Sequence, residues 1–254
     1  MVTKEKAKTA ERKAPRKRKA SPPADVLLTV VLDRSGSMEV VREATIRGFN
    51  DYVADQRKAD VAVEGNIAMT LVQFDDQYEV NFVAEPIGNV PELSAESYVP
   101  RGWTALNDAI VRAIHATEEV VGKQRVVVMI ITDGQENFST EFQGPDGLRA
   151  VAALIEAKET EDHWTFVFMG ANIDAFAEAQ RYNIPQGNVM GYQGNTVATG
   201  AVYAAASVSS HSHRASGQSA VSDYAAPAAN TPGVTTAHDH QKSVPSGRLD
   251  PKVR

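Results

Sequence analysis

Apolar and polar positions along this chain follow two rhythms, and the rhythms take turns. Val26 to Leu32, Ile67 to Phe74, Val126 to Ile131 and Trp164 to Met169 are near-continuous apolar runs of strand length, the pattern of strands covered on both faces. Between the runs, apolar residues recur at three-to-four spacing. Val41, Ala44, Gly48, Phe49, Tyr52 and Val53 share one helical face, as do Leu106, Ala109, Ile110, Ala113, Ile114, Thr117, Val120 and Val121. Pro145-Asp146 opens a helix carrying Leu148, Val151, Leu154 and Ile155; Asn172 or Asp174 caps another through Phe176 and Ala179, which Pro185 ends. A short strand near Val189 and an Ala-rich helix around Val197 to Val208 follow. After Asp75-Asp76, Tyr78, Val80 and Phe82 alternate with Glu79 and Asn81, which predicts a half-exposed antiparallel edge strand after a tight hairpin. The sum is an α/β fold: a doubly wound, mostly parallel sheet with one antiparallel edge strand and helices on both faces.

Chemistry gathers where the apolar runs stop. The first run ends in Asp33-Arg34-Ser35-Gly36-Ser37, a carboxylate and then two hydroxyls two residues apart. Hydroxyl and carboxylate oxygens are the ligands that magnesium prefers. Arg101-Gly102-Trp103-Thr104 leads into the Leu106 helix and supplies a third hydroxyl, and the Val126 run ends in Thr132-Asp133-Gly134. Taken one at a time, Asp33, Ser35, Ser37 or Thr104 reads as a helix cap. Taken together they form an oxygen-rich set at the carboxyl ends of strands, where ligands of such sheets bind.

This ordered set, Asp33, Ser35, Ser37, then Thr104, then Asp133, resembles the metal-ion-dependent adhesion site of the von Willebrand factor type A family, across roughly residues 25–209. The resemblance implies that the strands ending in Asp33 and Asp133 are neighbours and that Ser35 and Ser37 hold a Mg2+ ion (or Mn2+) through their hydroxyls. It implies further that Thr104 binds directly or through water, and that Asp33 and Asp133 act through water. Neutral ligands leave the cation electrophilic, so it takes a carboxylate from an Asp or Glu of a partner protein. Gly36 is expected to let the loop curl around the ion. Gly102, Trp103 and Gly134 are expected to form the partner-binding rim; Trp103, where the family often has a small or polar residue, either offers an apolar surface or packs under the loop. Intracellular members act as adaptors or assembly factors, some with AAA+ ATPases, so the resemblance implies a non-enzymatic, magnesium-dependent protein-binding module.

Composition sharpens the domain limits. With 254 residues, 43% of them apolar, the chain is long enough for one sizeable domain plus extensions. Residues 1–24 carry nine Lys or Arg and two Glu, whereas the rest carries seventeen basic and thirty acidic residues. A disordered basic arm is therefore expected over 1–24, ahead of an acidic domain over 25–209 that would repel nucleic acid. Any nucleic-acid contact is confined to residues 4–19. Arg16-Lys17-Arg18-Lys19 equally reads as a solubilising arm, an anionic-lipid contact or a segment folding back on the acidic domain. Residues 210–254, rich in Ser, Ala, Thr, Pro, Gly and His, are expected to be a disordered tail. Its two His-x-His pairs, His211/His213 and His238/His240, read as solvated. There is no cysteine, hence no disulfide or thiolate site, which fits a cytoplasmic location. No segment reaches the ~20 apolar residues of a membrane span.

Two other functions compete. A metal-dependent hydrolase or phosphotransferase could use an Asp at a strand end, as haloacid dehalogenases do, but the second Asp two residues on is here Ser35, and no phosphate-binding Gly-rich motif follows a strand. Tethering to nucleic acid through the basic arm is the other. Asp108 and Glu136, near the site in sequence, read as solvated loop acids or first-turn acids favoured by a helix dipole.

Overall fold

The computed structural model describes residues 25–63, 66–216 and 222–243; the expected basic arm lies outside them. The central strand is β1 (Val26–Asp33), every residue of which is buried. It runs parallel to β2 (Ile67–Phe74) on one side and β4 (Arg125–Thr132) on the other, with Val26 level with both Ile67 and Arg125. β5 (Thr165–Ala171) and β6 (Val189–Tyr192) extend the parallel set beyond β4. The full order is β3-β2-β1-β4-β5-β6-β7. Sequence order reverses between β1 and β4, so this is where a crevice opens above the strand ends.

Helices cover both faces, which is why these strands have no polar side. α1 (Arg42–Val63) and α5 (Thr196–Ser216) pack on one face, where Phe49, Tyr52, Val202 and Ala206 meet Val30, Leu32 and Met129. Gly48 lets the two helices approach, since a Cβ there would run into the Tyr203 ring. α2 (Leu106–Glu118), α3 (Gly144–Thr160) and α4 (Ala175–Arg181) cover the other face, where Ile110, Ile155 and Phe176 belong to one core with Val31, Ile130 and Phe166. Asp174 caps α4 by accepting the Ala177 N–H at 3.0 Å.

β3 (Tyr78–Pro86) is the expected antiparallel edge strand, half-exposed and bulged against β2. The opposite edge departs from the expectation of a single antiparallel edge. β7 (Val234–Thr235) pairs antiparallel with β6, followed by α6 (Ala237–Ser243). Both lie in the stretch expected to be a disordered tail, and α5 itself continues past residue 209. The anchor is one aromatic in a polar stretch. Tyr224 is buried, its N–H donates to Asn188 Oδ1 at 2.9 Å, its hydroxyl to Ala206 O at 3.1 Å, and its carbonyl accepts from Ser209 Oγ at 2.6 Å. Backbone pairing and a single buried ring outweigh a composition that favours disorder.

Candidate metal centre

Three loops meet above the β1/β4 crevice. In the first, β1 delivers Asp33 fully buried, and a 3-10 turn (Gly36–Val41) begins before the chain has left the strand end. Asp33 Oδ1 accepts the Ser35 N–H and Oδ2 accepts the Thr132 hydroxyl, each at 2.6 Å. Ser35 Oγ lies 3.2 Å from Ser37 Oγ, and Ser37 Oγ donates to Asp133 Oδ1 at 2.6 Å. The residues from the two neighbouring strand ends are therefore joined in one continuous polar chain.

The second loop brings Thr104, which is buried. Its N–H donates to Asn137 Oδ1 at 2.9 Å and its carbonyl accepts from Asn137 and Phe138 N–H groups, so it is clamped to the third loop. Gly134 shows where the loops converge. A Cβ there would lie 3.2 Å from Thr104 Oγ1 and 3.7 Å from Ser37 Oγ. Glycine thus leaves open a small space faced by hydroxyls from two different loops, beside the Asp133 carboxylate. All five residues read from the sequence are brought to this place. Gly36 does not serve as expected: it is not among the positive-φ glycines, and a Cβ there would make only ordinary contact, 3.5 Å from Gly102 O. The obligatory glycine is Gly102, at φ +68°, where any Cβ would strike the Asp76 carboxylate. Trp103 projects outward, 61% exposed, rather than packing under the loop.

Electrostatics single out Asp33. Burial pushes its carboxyl up from 3.8 to about 6, against the lowering by the Thr132 and Ser35 hydrogen bonds, with a smaller push from Asp133. Asp133 is also raised, chiefly by burial. No Lys, Arg or His makes an ion pair with Asp33 among the described residues. The donor set of hydroxyls and carboxylates is the chemistry that suits a hard cation. With only two carboxylates present, no group of three or more His, Cys, Asp or Glu is assembled among the described residues.

Several residues that shape the site were not evident from the sequence. Asp75, buried at the end of β2, accepts from Arg34 Nε at 3.0 Å and Arg101 Nε at 2.7 Å, and its carbonyl accepts the Ala105 N–H. It ties the loop between Asp33 and Ser35 to the loop that carries Thr104. Tyr98 donates its hydroxyl to Asp33 O at 2.6 Å. Asp108 is a first-turn acid of α2, as expected, but it is buried rather than solvated, and the half-buried Glu136 is bonded into its loop. Asp108 is buried and accepts N–H bonds from Thr140 and Phe142 at 2.8 and 2.9 Å. Glu136 accepts from Asn107, Phe138 and Ser139 N–H groups. Burial raises the Asp108 carboxyl, but the Thr140, Phe142 and Glu141 N–H bonds outweigh it and hold it below its ordinary value. Thr132-Asp133 was the one legible hint, a second hydroxyl beside a strand-end acid.

Comparison with solved structures supports the fold. The chain is similar to the von Willebrand factor type A protein from Catenulispora acidiphila (TM-score 0.53, 14% identity, 74% of this chain and 43% of that one). It is similar to the vWF domain of the type V pili tip protein Mfa5 from Porphyromonas gingivalis (TM-score 0.51, 11% identity, 74% and 95%). It also resembles proximal thread matrix protein 1 of the mussel byssus, solved with a zinc-occupied MIDAS motif (TM-score 0.51, 16% identity, 71% and 46%). The chain thus spans under half the length of the Catenulispora and byssus chains. No family model matches, and no curated protein does. The fold is that of a von Willebrand factor type A domain.

Proposed function

We propose that this chain is a non-enzymatic protein-binding module whose contact runs through a Mg2+ ion, or Mn2+, held by Ser35, Ser37 and Thr104, with Asp33 and Asp133 balancing its charge. One observation carries the reading. A fully buried carboxylate, Asp33, has no cationic partner among the described residues, and hydroxyls from its own loop (Ser37) and from a second loop (Thr104) face the neighbouring space that Gly134 keeps open. A bound cation would supply the missing positive charge and an electrophilic point for an incoming carboxylate. The zinc in the MIDAS motif of the byssus protein supports metal binding by this fold.

The chain's own residues prepare that encounter. Asp75 and its two arginines fix the loops, Asn137 holds Thr104, and Thr132 orients Asp33. The partner donates an Asp or Glu carboxylate; an AAA+ ATPase is a partner class that the family resemblance supports. The lack of cysteine supports a cytoplasmic setting, and no helix among the described residues is long and apolar enough to cross a membrane. Every acid at the site is already engaged in holding a loop or another ligand, which leaves none free as a general base and favours binding over catalysis.

Calorimetric titration of the full chain with magnesium and with manganese tests the site. Saturable binding that Asp133→Ala weakens at least tenfold is the expected result, with a thermal midpoint that rises in metal and falls back in chelator. Melting curves indifferent to both ions and to chelator would overturn the reading.

A further inference from the structure

Each of the three segments that carry the candidate ligands also presents at least one large apolar side chain to solvent. Val40, three residues after Ser37, is 81% exposed; Trp103, one before Thr104, is 61%; Phe138, five after Asp133, is 43%. The fold does not require them there, for each stands outside both cores. Trp103 and Phe138 are stacked on one another, centroids 6.4 Å apart and planes 9° from parallel.

The pair is also held in place from below. The Thr104 backbone between the rings bonds to Asn137 and Phe138, Gly102 is locked beside Asp76, and Arg101 is tied to Asp75. A rigid aromatic surface that stays exposed loses little conformational freedom when covered, and Trp is the residue most enriched where binding energy concentrates. Its chemistry constrains the occupant. The cation of the preceding section attracts a carboxylate, and the next atoms of any chain delivering that carboxylate must lie against the surrounding loops. Those loops offer two stacked aromatic faces and an exposed valine.

Resting on the metal-held carboxylate reading, we propose that the partner is another protein presenting a segment in which an Asp or Glu is flanked, within two residues, by an aromatic or large aliphatic side chain. That side chain seats on the Trp103–Phe138 stack while the carboxylate meets the ion. The surface thus sets which acidic segments are accepted, a selectivity the ion cannot supply because every carboxylate is alike to it.

The test uses the full chain and a displayed library of heptapeptides with Asp or Glu fixed at the centre and all other positions random, selected in magnesium and in chelator. The expected result is magnesium-dependent enrichment of Phe, Trp, Tyr, Leu or Ile next to the acid. An enriched peptide should bind Trp103→Ala or Phe138→Ala about tenfold more weakly or worse, and Trp103→Phe nearly as well as the parent. It should also blue-shift the emission of Trp103, since the other tryptophan, Trp164, is already buried. Both rings are on the surface, so the variants should melt like the parent. Magnesium-dependent enrichment with no apolar preference, or one unchanged in Trp103→Ala, overturns this inference and leaves the metal site standing. Equal selection in magnesium and chelator overturns the metal-held carboxylate and this inference with it. A dimer in sedimentation that Trp103→Ala dissolves would make the occupant a second copy and overturn the assignment to another protein.

Discussion

β1 and β2 are neighbouring parallel strands, and each hands the chain to a loop through a buried aspartate, Asp33 and Asp75. Their surroundings could hardly differ more. Asp75 has two guanidinium groups, Arg34 and Arg101, and the Gln77 N–H at 2.6 Å. Asp33 has the Ser35 N–H and the Thr132 and Ser35 hydroxyls, and no cation among the described residues. Asp108, a third buried aspartate nearby, is saturated by backbone N–H groups. Where a carboxylate's role is to fix a loop, the chain supplies its full complement of donors. Where the complement is missing, as at Asp33, burial raises the carboxyl, and its charged form is what the proposed ion would offset.

The largest expected effect strikes the satisfied side of this contrast. Asp75→Ala takes from Arg34, itself nearly buried, its buried partner and leaves it only the half-exposed Glu79, and should cost about 3 kcal/mol, the low end for breaking a buried pair. Chemical denaturation with a fluorescence or circular-dichroism readout measures it. A loss under 1 kcal/mol would mean that Asp75 and Asp33 are not different in kind.

Asp33→Asn should behave oppositely. In chelator the variant should be no less stable than the parent, because it removes a buried charge, keeps an acceptor for the Ser35 N–H and can donate its amide to Thr132 Oγ1, whose hydroxyl then donates to Gly134 O. In magnesium the parent should gain about 2.7 kcal/mol at a hundredfold excess over the dissociation constant, and the variant almost nothing. The pH dependence follows from the raised carboxyl. Its folded value of about 6 exceeds its unfolded 3.8, so the neutral form is favoured in the fold. That contribution is complete below 3.8 and is lost as pH rises through 6. Metal-free melts should therefore show a decline over that window that Asp33→Asn flattens and magnesium reduces.

Asp108→Ala sits next, at about 2 kcal/mol, the penalty for stranding backbone N–H groups of Thr140 and Phe142. Because the Asp108 carboxyl is held below its ordinary value, its stabilisation is present above the unfolded carboxylate range and disappears as pH falls through the folded value. Comparing acid titrations of the parent and Asp108→Asn checks this sign, which is the reverse of that for Asp33.

The smallest effect sharpens the comparison. Gly134→Ala places a methyl 3.2 Å from Thr104 Oγ1, tight but relievable, so stability should change by under about 1 kcal/mol. Magnesium affinity should fall about tenfold, equivalent to 1.4 kcal/mol. Unchanged calorimetric affinity would place the ion away from the space that Gly134 keeps open.

The fold was largely legible because its signals are local. Unbroken runs such as Val126 to Ile131 read as strands with both faces covered, and the stripe from Leu106 to Thr117 buries one side of α2, although the helix ends at Glu118 and leaves Val120 and Val121, expected on the same face, outside it. β7 was not legible: Val234 and Thr235 are too short a segment to carry a period, and their pairing depends on β6 leaving an open edge. The extent of α5 was hidden for a related reason, since its last turns are polar and depend on Tyr224 and Tyr52 as hydrogen-bond partners.

What the sequence determined by itself is the alternation of strands and helices and the identity of the candidate ligands. Residue type and spacing carry both: apolar period sets burial, and hydroxyls two apart after a strand-end acid mark an oxygen site. Tertiary structure alone decided which acids are neutralised and which are not. Asp33 and Asp75 are the same residue at the ends of neighbouring strands, and Asp108 opens a helix beside them; what separates the three is which guanidinium or N–H reaches each carboxyl. The stacking of Trp103 on Phe138 was decided in the same way, by two loops thirty-odd residues apart meeting at Thr104. Charge and contact depend on three-dimensional neighbours, and a one-dimensional pattern does not contain them.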